Sequence, residues 1–319
     1  MYNIIPHYTA LGGIYLNRLA HETENAMKKY LIAIDAGGTF MKSAIVSNDA
    51  EIVDGSIYST EANSDLDADA VHQGYIRTLE TQLANAARQN IELSAVAIDT
   101  PGPFDYENGY SLMQHKYKAI YKLPLRPWIQ EIVDLPVTFI HDSAAYLTGE
   151  LWHSPYGDYK NAAGVMIGTG LGFATMKDGV VLRKPDGSPL YSIWQLPYRG
   201  RIAEDFISGR GISERYSKVD VSAKEVERRA YAGDSEARRV YETTGDMLGE
   251  IIAPYLELVE AKILILGGQI SRALPLFKKP LEARLKEIGS LEQITGSQRL
   301  ESAHMLGSAC DCFSRLGLL

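Results

Sequence analysis

Two glycine-rich turns, each following an apolar strand and each carrying a threonine, are the features of this chain best suited to chemistry. The first turn is Gly37-Gly38-Thr39, just after Asp35, and the second is Gly168-Thr169-Gly170. Glycine lets the backbone turn so tightly that successive N–H groups converge on an anion, so two facing turns would bind a nucleotide's phosphates from both sides. A third apolar strand leads to Asp142, an acid placed to take a proton from an attacking hydroxyl. The pattern predicts a phosphotransferase.

Strands and helices in both halves of the chain must position these turns. Apolar alternation and turn signals predict strands at 31–35, 41–47, 51–60, 96–98, 137–140 and 262–266, and a hairpin at 163–174. The first three strands should form an antiparallel meander, and residues 203–261 should be mostly helical. Because each half begins with a hairpin and continues with strand–helix alternation, we expect an α/β protein of two similar lobes.

Composition limits the classes of function. The chain has 319 residues, 45% of them apolar and 23% charged, which is typical of a globular protein with room for two lobes. Its net charge of −8 argues against nucleic acid as a partner, because phosphate backbones bind to positive surfaces. No apolar run approaches the ~20 residues that span a bilayer, and the first residues lack the basic start of a secretion signal. We therefore expect a cytoplasmic protein that binds neither nucleic acid nor membrane.

These patterns divide the chain into four segments. Residues 1–29 hold scattered apolar residues and form an N-terminal extension. The N-terminal lobe, 30–142, contains the first glycine turn and Asp142. The C-terminal lobe, 143–300, contains the second glycine turn, and the last helical segment, 301–319, can pack back on the N-terminal lobe.

Five motifs occur in an order that points to one family. They are Asp35-Ala36-Gly37-Gly38-Thr39, Asp99-Thr100-Pro101-Gly102-Pro103, His141-Asp142-Ser143-Ala144-Ala145, Gly168-Thr169-Gly170-Leu171-Gly172 and Leu266-Gly267-Gly268. Each motif alone is weak, but together, from about Tyr30 to the C-terminus, they resemble the ROK family (repressors, open reading frames and sugar kinases). The resemblance implies the actin-like (ribonuclease H-like) ATPase fold, with a nucleotide and sugar cleft between its lobes. It also implies an ATP-dependent, glucokinase-like enzyme of carbohydrate metabolism that phosphorylates a hydroxyl of a hexose or hexose derivative.

The resemblance further implies roles for individual residues. Asp142 would be the catalytic base, and Asp35 would hold Mg²⁺ through water, since this ion prefers oxygen ligands and keeps several waters. Residues of both glycine turns and of the last motif would contact ATP: Gly37, Gly38, Thr39, Gly168, Thr169, Gly170, Gly172, Gly267 and Gly268. The sugar would contact Pro101, Gly102, His115, Lys116, His141, Gln195, Tyr198 and Glu204. Dimers are common in the family, so a homodimer is expected.

The sugar-binding stretch departs from the family pattern. Gln195 and Tyr198 stand where many relatives have a glutamate and a histidine, and His141 stands where the residue before the catalytic acid is usually asparagine. Gln195 and Tyr198 still form hydrogen bonds, but with neutral and differently placed groups. These changes predict a substrate other than plain glucose, and the lysines around Lys116 favour an acidic or phosphorylated sugar. The family's zinc-binding cysteines are absent and the chain has only two cysteines, so no zinc is expected.

Two other functions remain open from the sequence. One is a non-catalytic, sugar-sensing regulator, since the sugar-binding stretch is altered; residues 1–29 are too short, and not basic enough, for the DNA-binding domain of ROK repressors. The other is an ATPase coupled to a protein partner, although chains of that branch are longer. Single residues also have plainer interpretations. Asp142 can cap the helix that follows it, and Gly267 with Gly268 can be an ordinary strand-to-helix connection.

Overall fold

The computed structural model describes residues 28–114, 116–216 and 221–319. In chain order the strands are β1 (Tyr30–Ala36), β2 (Phe40–Ser47), β3 (Tyr58–Glu61), β4 (Leu93–Thr100), β5 (Phe104–Asp105), β6 (Tyr110–Ser111), β7 (Val137–His141), β8 (Ala162–Ile167), β9 (Leu171–Lys177), β10 (Val180–Val181), β11 (Pro197–Tyr198), β12 (Arg201–Ile202), β13 (Ile263–Gly267) and β14 (Gln293–Gly296). The α-helices are α1 (Ala68–Arg88), α2 (Leu125–Gln130), α3 (Asp142–Leu151), α4 (Gly209–Arg215), α5 (Ala223–Tyr231), α6 (Ser235–Leu258), α7 (Leu274–Leu285) and α8 (Ala303–Leu316). In these ranges, no helix combines the length and the hydropathy needed to cross a bilayer.

The strands of the N-terminal half form a five-stranded sheet in the order β3-β2-β1-β4-β7. The hairpin β1–β2 and the pair β2–β3 are antiparallel, whereas β4 and β7 run parallel to β1. Successive side chains of a strand point to opposite faces. Accordingly, Ile32 and Ile34 face the core beneath α1 and α2, while Leu31 and Ala33 face α8. The central strand β1 is therefore apolar throughout until it reaches Asp35.

A second five-stranded sheet repeats this arrangement in the C-terminal half, in the order β10-β9-β8-β13-β14. Its hairpin β8–β9 is antiparallel, and β13 and β14 run parallel to β8. Helices α5, α6 and α7 contribute to the core on one face of the sheet. Residues of α3 pack on the other face, against Ala162, Ala174 and Ile263. Each half thus presents a sheet with helices on both faces. The two similar α/β lobes that the sequence predicts are confirmed.

Helices α3 and α8 lie between the two sheets and touch each other. Helix α8 packs on the N-terminal sheet through Met305, Ala309 and Phe313. The helices contact through two glycines: a Cβ added at Gly149 would lie 1.9 Å from the Ala303 carbonyl oxygen, and one added at Gly307 would lie 1.7 Å from that of Ala145. Only glycine permits backbones to approach this closely.

The structure corrects several predicted elements. The strand expected at 51–60 is wrong in most of its length, since Ile52 forms only an isolated bridge to Val46 and regular pairing begins with β3. The short, half-buried strand β14 was not predicted, because its four residues lack apolar alternation. The N-terminal extension lies outside the described residues over 1–27, so its expected role stays a prediction.

Candidate active site between the two sheets

Three ionisable side chains meet where β1, β4 and α8 come together, and we call them the Asp–Asp–His cluster: Asp35, Asp99 and His304. Asp35 and Asp99 are register partners on neighbouring parallel strands, and His304 lies in the first turn of α8. One ligand atom from each residue lies within 4.8 Å of the others. Asp99 is 0% exposed, and neither of its oxygens accepts a hydrogen bond from a described residue. His304 Nδ1 lies 3.4 Å from Asp99 Oδ1, close enough for charge attraction but not aligned for a hydrogen bond.

Burial dominates the electrostatics of the cluster. It raises the pKa of Asp99 to about 8, with the charge of Asp35 adding to the rise. It also raises the pKa of Asp35, against the attraction of His304. Burial alone would lower the pKa of His304, but Asp35, Asp99 and Asp142 together raise it to about 10. Burial therefore disfavours the charged form of both aspartates, while the aspartates favour the charged form of the imidazole.

Asp142 begins α3 directly after β7 and lies close enough to the cluster to influence its pKa values. Its Oδ1 accepts the Ser143 N–H at 2.6 Å and lies 2.8 Å from His141 Nδ1. Burial would raise the pKa of Asp142, but His141, His304 and the Ser143 N–H lower it to about 2. The carboxyl group is ionised at neutral pH, and 28% of the side chain remains exposed to an incoming molecule.

Hydroxyl groups fix the first glycine turn from one side. Tyr117 donates its hydroxyl to the Gly37 carbonyl at 2.7 Å, and Ser64 donates to the Gly38 carbonyl at 2.5 Å. In a trans peptide the C=O and the following N–H point in opposite directions. Holding these two carbonyls therefore turns the N–H groups of Gly38 and Thr39 away from Tyr117 and Ser64, towards the open side of the turn.

Lys116 lies against this turn. A Cβ added at Gly38 would lie 3.3 Å from Lys116 Cδ and 3.4 Å from its Nζ. The side chain is half-buried, and among the described residues no acidic group pairs with its ammonium. Its charge is therefore placed beside the first glycine turn. The neighbouring residue His115, also predicted to bind the sugar, lies outside the described residues.

Gly102 and His141 come together beside Asp142. A Cβ added at Gly102 would lie 3.4 Å from His141 Nε2 and 3.3 Å from the Tyr106 hydroxyl. Pro101 precedes Gly102 directly after β4, so both sit at the same edge of the N-terminal sheet as Asp35 and Asp142. Of the residues predicted to contact the sugar, these are the ones that the structure brings to Asp142.

The second glycine turn connects β8 and β9 and is closed by a hydrogen bond from the Gly168 N–H to the Gly170 carbonyl at 3.0 Å. Glu204 supports this turn, since its Oε2 accepts the Leu171 N–H at 2.9 Å. Thr169 and Gly170 are exposed. Glu204 therefore contacts the predicted phosphate turn, and its contact with the sugar stays a prediction.

Two glycines of the last motif differ in their surroundings. Gly268 has a φ of 76° and lies against the Ile167 backbone, beside the second glycine turn. Gly267 is buried against the Tyr146 ring, to which an added Cβ would approach within 2.4 Å. Gly172 lies near Ser143, whose hydroxyl donates to the Phe173 carbonyl at 3.1 Å. This last contact links the hairpin that carries the second turn to the start of α3, next to Asp142.

Gln195 and Tyr198 belong to a segment that pairs with the backbone beside Glu204: the Trp194 carbonyl accepts the Glu204 N–H at 3.1 Å. Gln195 is exposed. The Tyr198 hydroxyl donates to Glu250 Oε2 of α6 at 2.6 Å, and its ring packs against Phe206 and the Arg199 guanidinium.

Asp99 and His304 are the members of the site to which sequence reasoning gave no role. Asp99 belongs to one of the five motifs, and its position at the end of an apolar strand is the feature of the sequence that could have marked it as a site residue. His304 carried no such signal, because only the packing of α8 brings it to the cluster.

The two sheets of repeated topology, with α3 and α8 between them, form the actin-like ATPase fold. Solved structures that are similar to this chain include ROK sugar kinases. The chain belongs to the ROK family, whose sequence profile matches residues 31–188 and 197–309. The glucokinase of Thermotoga maritima is 24% identical over 322 residues, which cover 91% of this chain and 99% of that protein.

Other matches carry different names. The N-acetylmannosamine kinase of Escherichia fergusonii is 23% identical over 253 residues, 76% of this chain and 84% of that protein. The crystal structure of a ROK family glucokinase from Streptomyces griseus in complex with glucose and AMPPNP superposes with a TM-score of 0.71. It is 20% identical, and the match covers 88% of this chain and 98% of that one.

Proposed function

We propose that this protein is an ATP-dependent carbohydrate kinase that transfers the γ-phosphate of ATP to a hydroxyl of a hexose or hexose derivative. The observation that carries the proposal is the placement of Asp142. It is an ionised, partly exposed carboxylate at the start of α3, beside His141 and next to the hairpin of the second glycine turn. Membership of the ROK family, and relatives named glucokinase and N-acetylmannosamine kinase, support the same reaction class.

Asp142 is the proposed base. As the sugar oxygen bonds to the γ-phosphorus and the bond to the ADP oxygen breaks, the hydroxyl proton passes to the Asp142 carboxylate. The low pKa of Asp142 ensures that it is ionised and ready to accept this proton at neutral pH. His141, 2.8 Å away, holds the carboxylate in position. Most of the rate enhancement in such reactions comes from positioning and charge stabilisation.

The two glycine turns are the proposed phosphate sites. The Gly37 and Gly38 carbonyls are held by Tyr117 and Ser64, which leaves the N–H groups of Gly38 and Thr39 pointing the opposite way. On the second turn, Thr169 and Gly170 are exposed. Asp35 fits the Mg²⁺ that the family implies, because it offers carboxylate oxygens beside the first turn. When bound with ATP, Mg²⁺ neutralises charge on the phosphates.

Recognition of the sugar is proposed to come mainly from the Gly102 and His141 side of the site. The hydroxyl of Tyr198 already donates to Glu250, so contact with a sugar would first require that bond to break. Glu204 likewise already accepts the Leu171 N–H. With these groups engaged elsewhere, the sugar is expected to be other than plain glucose, in line with the departures in the sequence.

The test is a screen of sugars with coupled detection of ADP. It should include hexoses, amino sugars, N-acetylated amino sugars and sugar phosphates, with ATP and Mg²⁺. We expect ADP release that depends on one class of sugar and a phosphorylated product. Sugar binding without ADP release would instead identify a sensing regulator, and sugar-independent ATP hydrolysis would identify a partner-coupled ATPase; either result overturns the proposal.

Lys116→Met is expected to raise the KM for ATP about tenfold, with the KM for the sugar nearly unchanged, since a charge-assisted contact to phosphate contributes roughly 1.5 kcal/mol. The reason is that its ammonium lies beside Gly38. Steady-state kinetics with each substrate varied separately would measure the effect. Lys118→Met is the matched control, because Lys118 is exposed two residues away. A rise confined to the KM for the sugar would show that Lys116 contacts the sugar, as the sequence predicts, and not ATP.

A further inference from the structure

We propose that Asp35, Asp99 and His304 coordinate a divalent transition-metal ion directly, with Mn²⁺ as the representative ion. This site differs from a hydrated Mg²⁺ held by Asp35 alone, because it adds a second carboxylate and an imidazole nitrogen as ligands. It does not depend on which sugar, if any, the protein phosphorylates.

Geometry brings the ligands together from three elements. The register of β1 and β4 places Asp35 and Asp99 side by side, and the packing of α8 on the same sheet brings His304 over them. Their ligand atoms lie within 4.8 Å of one another, and His304 Nδ1 is 3.4 Å from Asp99 Oδ1. Ligands around one octahedral ion with bonds of about 2.1 Å are separated by roughly 3 to 4.2 Å, so small side-chain rotations suffice to enclose it.

Unmet bonding capacity points to a ligand. Asp99 is 0% exposed, and both of its oxygens, together with His304 Nδ1, lack hydrogen-bond partners among the described residues. Buried polar groups without partners are unusual and costly, and a bound ion is one of the explanations that satisfies them. A metal ion would accept electron pairs from these atoms.

No lysine or arginine in the described part of the chain forms an ion pair with these acids. Lys42 is the register partner of Asp35 on β2, but its ammonium binds Glu301 at 2.9 Å. Glu301 in turn pairs with Arg272. Lys42 and His304 still attract the Asp35 carboxylate, although neither forms an ion pair with it. An added cation would be attracted in the same way.

The donor set selects the class of ion. Magnesium prefers oxygen ligands and gives up water reluctantly, whereas imidazole is a good ligand for transition metals. Two carboxylates and one imidazole on one side of an ion leave its other positions open to water or to a phosphate oxygen. We therefore expect Mn²⁺ to bind more tightly than Mg²⁺ in the absence of nucleotide.

Electron paramagnetic resonance of the full chain, free of nucleotide and sugar, tests the site. The signal of free Mn²⁺ should fall until one ion per chain is bound. Electron spin echo modulation of the bound ion should show coupling to a ¹⁴N nucleus, the signature of a coordinated imidazole. Titration with Mg²⁺ should displace Mn²⁺ only at a large excess.

Substitution of the ligands gives the matched comparison. His304→Gln should remove the ¹⁴N coupling, and Asp99→Asn should weaken Mn²⁺ binding at least about 100-fold, because changes outside the ligand shell already cost roughly 10- to 100-fold. His153→Gln and Asp134→Asn make the same chemical changes at exposed positions and should bind as the unmodified protein does. Thermal unfolding of each variant without metal establishes that it is folded.

The possible results separate cleanly. If Mn²⁺ binds without nitrogen coupling, or if the Asp99→Asn and His304→Gln variants bind as tightly as the unmodified protein, the proposal is overturned. If the unmodified protein binds no Mn²⁺, it is overturned as well. If the protein binds Mn²⁺ with nitrogen coupling but phosphorylates no sugar, the metal site is upheld and the kinase proposal is rejected. If it phosphorylates a sugar but shows no nitrogen coupling, the kinase proposal is upheld and the metal site is rejected.

Discussion

Asp142→Asn is expected to abolish sugar phosphorylation while ATP still binds. The amide is nearly the same size as the carboxylate, and its oxygen can still accept the Ser143 N–H that Asp142 accepts at 2.6 Å. It cannot take up the hydroxyl proton, however. Loss of a general base typically lowers the rate roughly 10²- to 10⁴-fold, so kcat should fall by at least about 100-fold.

The contrast between turnover and binding makes this result specific. The ADP-coupled assay gives kcat, and calorimetric titration with a non-hydrolysable ATP analogue gives nucleotide affinity, which should stay within about threefold because RT ln 3 is about 0.65 kcal/mol. Asp134→Asn is the control, since it makes the same change at an exposed loop position before β7. Retention of more than a few per cent of the activity would remove Asp142 from the role of base.

The part of the fold that the sequence predicts is the part set by local signals. The apolar strand before Asp35 and the hairpin around Gly168 are short, strongly patterned and bounded by glycines, so their existence follows from the chain itself. The two-lobed α/β fold with strands in both halves is confirmed. The strand predicted over 51–60 is wrong in most of its length, because the chain forms only an isolated bridge at Ile52 before it pairs as β3.

The candidate site depends more on contacts that are distant in sequence. Asp35 lies beside Asp99 because β1 and β4 are neighbours in the sheet. His304 joins them because α8, more than 200 residues further along the chain, packs back on this sheet. Lys116 shows the same limitation. Its predicted contact with the sugar stays a prediction, and its place beside the first glycine turn depends on the Tyr117 hydroxyl bonded to Gly37. A loop's neighbours are decided by such tertiary bonds rather than by its composition.

The glycine contact between α3 and α8 sets the positions of the residues at the site. Asp142 begins α3, and His304 lies one turn before Gly307 in α8. The backbones touch where Gly149 meets Ala303 and Gly307 meets Ala145. The separation of Asp142 from the Asp–Asp–His cluster is therefore fixed by how closely these two helices approach.

Gly307→Ala is expected to destabilise the protein by about 3 kcal/mol, the upper part of the range for overpacked cores. In an unconstrained helix the same change would stabilise by up to about 1 kcal/mol, so the sign of the effect reports the contact. The added methyl group would lie 1.7 Å from the Ala145 carbonyl oxygen, and because this oxygen belongs to a helix backbone, the helices must separate. Thermal unfolding should show a melting temperature lower by roughly 5–10 °C.

Gly289→Ala provides the matched control, because nothing lies within 4 Å of a Cβ added at this exposed turn. It should change the free energy of unfolding by no more than about 0.5 kcal/mol. Activity adds a second measurement, made well below the melting temperature. Since a misplacement of about 1 Å costs on the order of 100-fold in rate, helices forced apart at Gly307 should lower kcat even in the folded enzyme. A variant with unchanged stability and kcat would show that α3 and α8 do not approach as closely as these glycines indicate, and that Asp142 is positioned by other contacts.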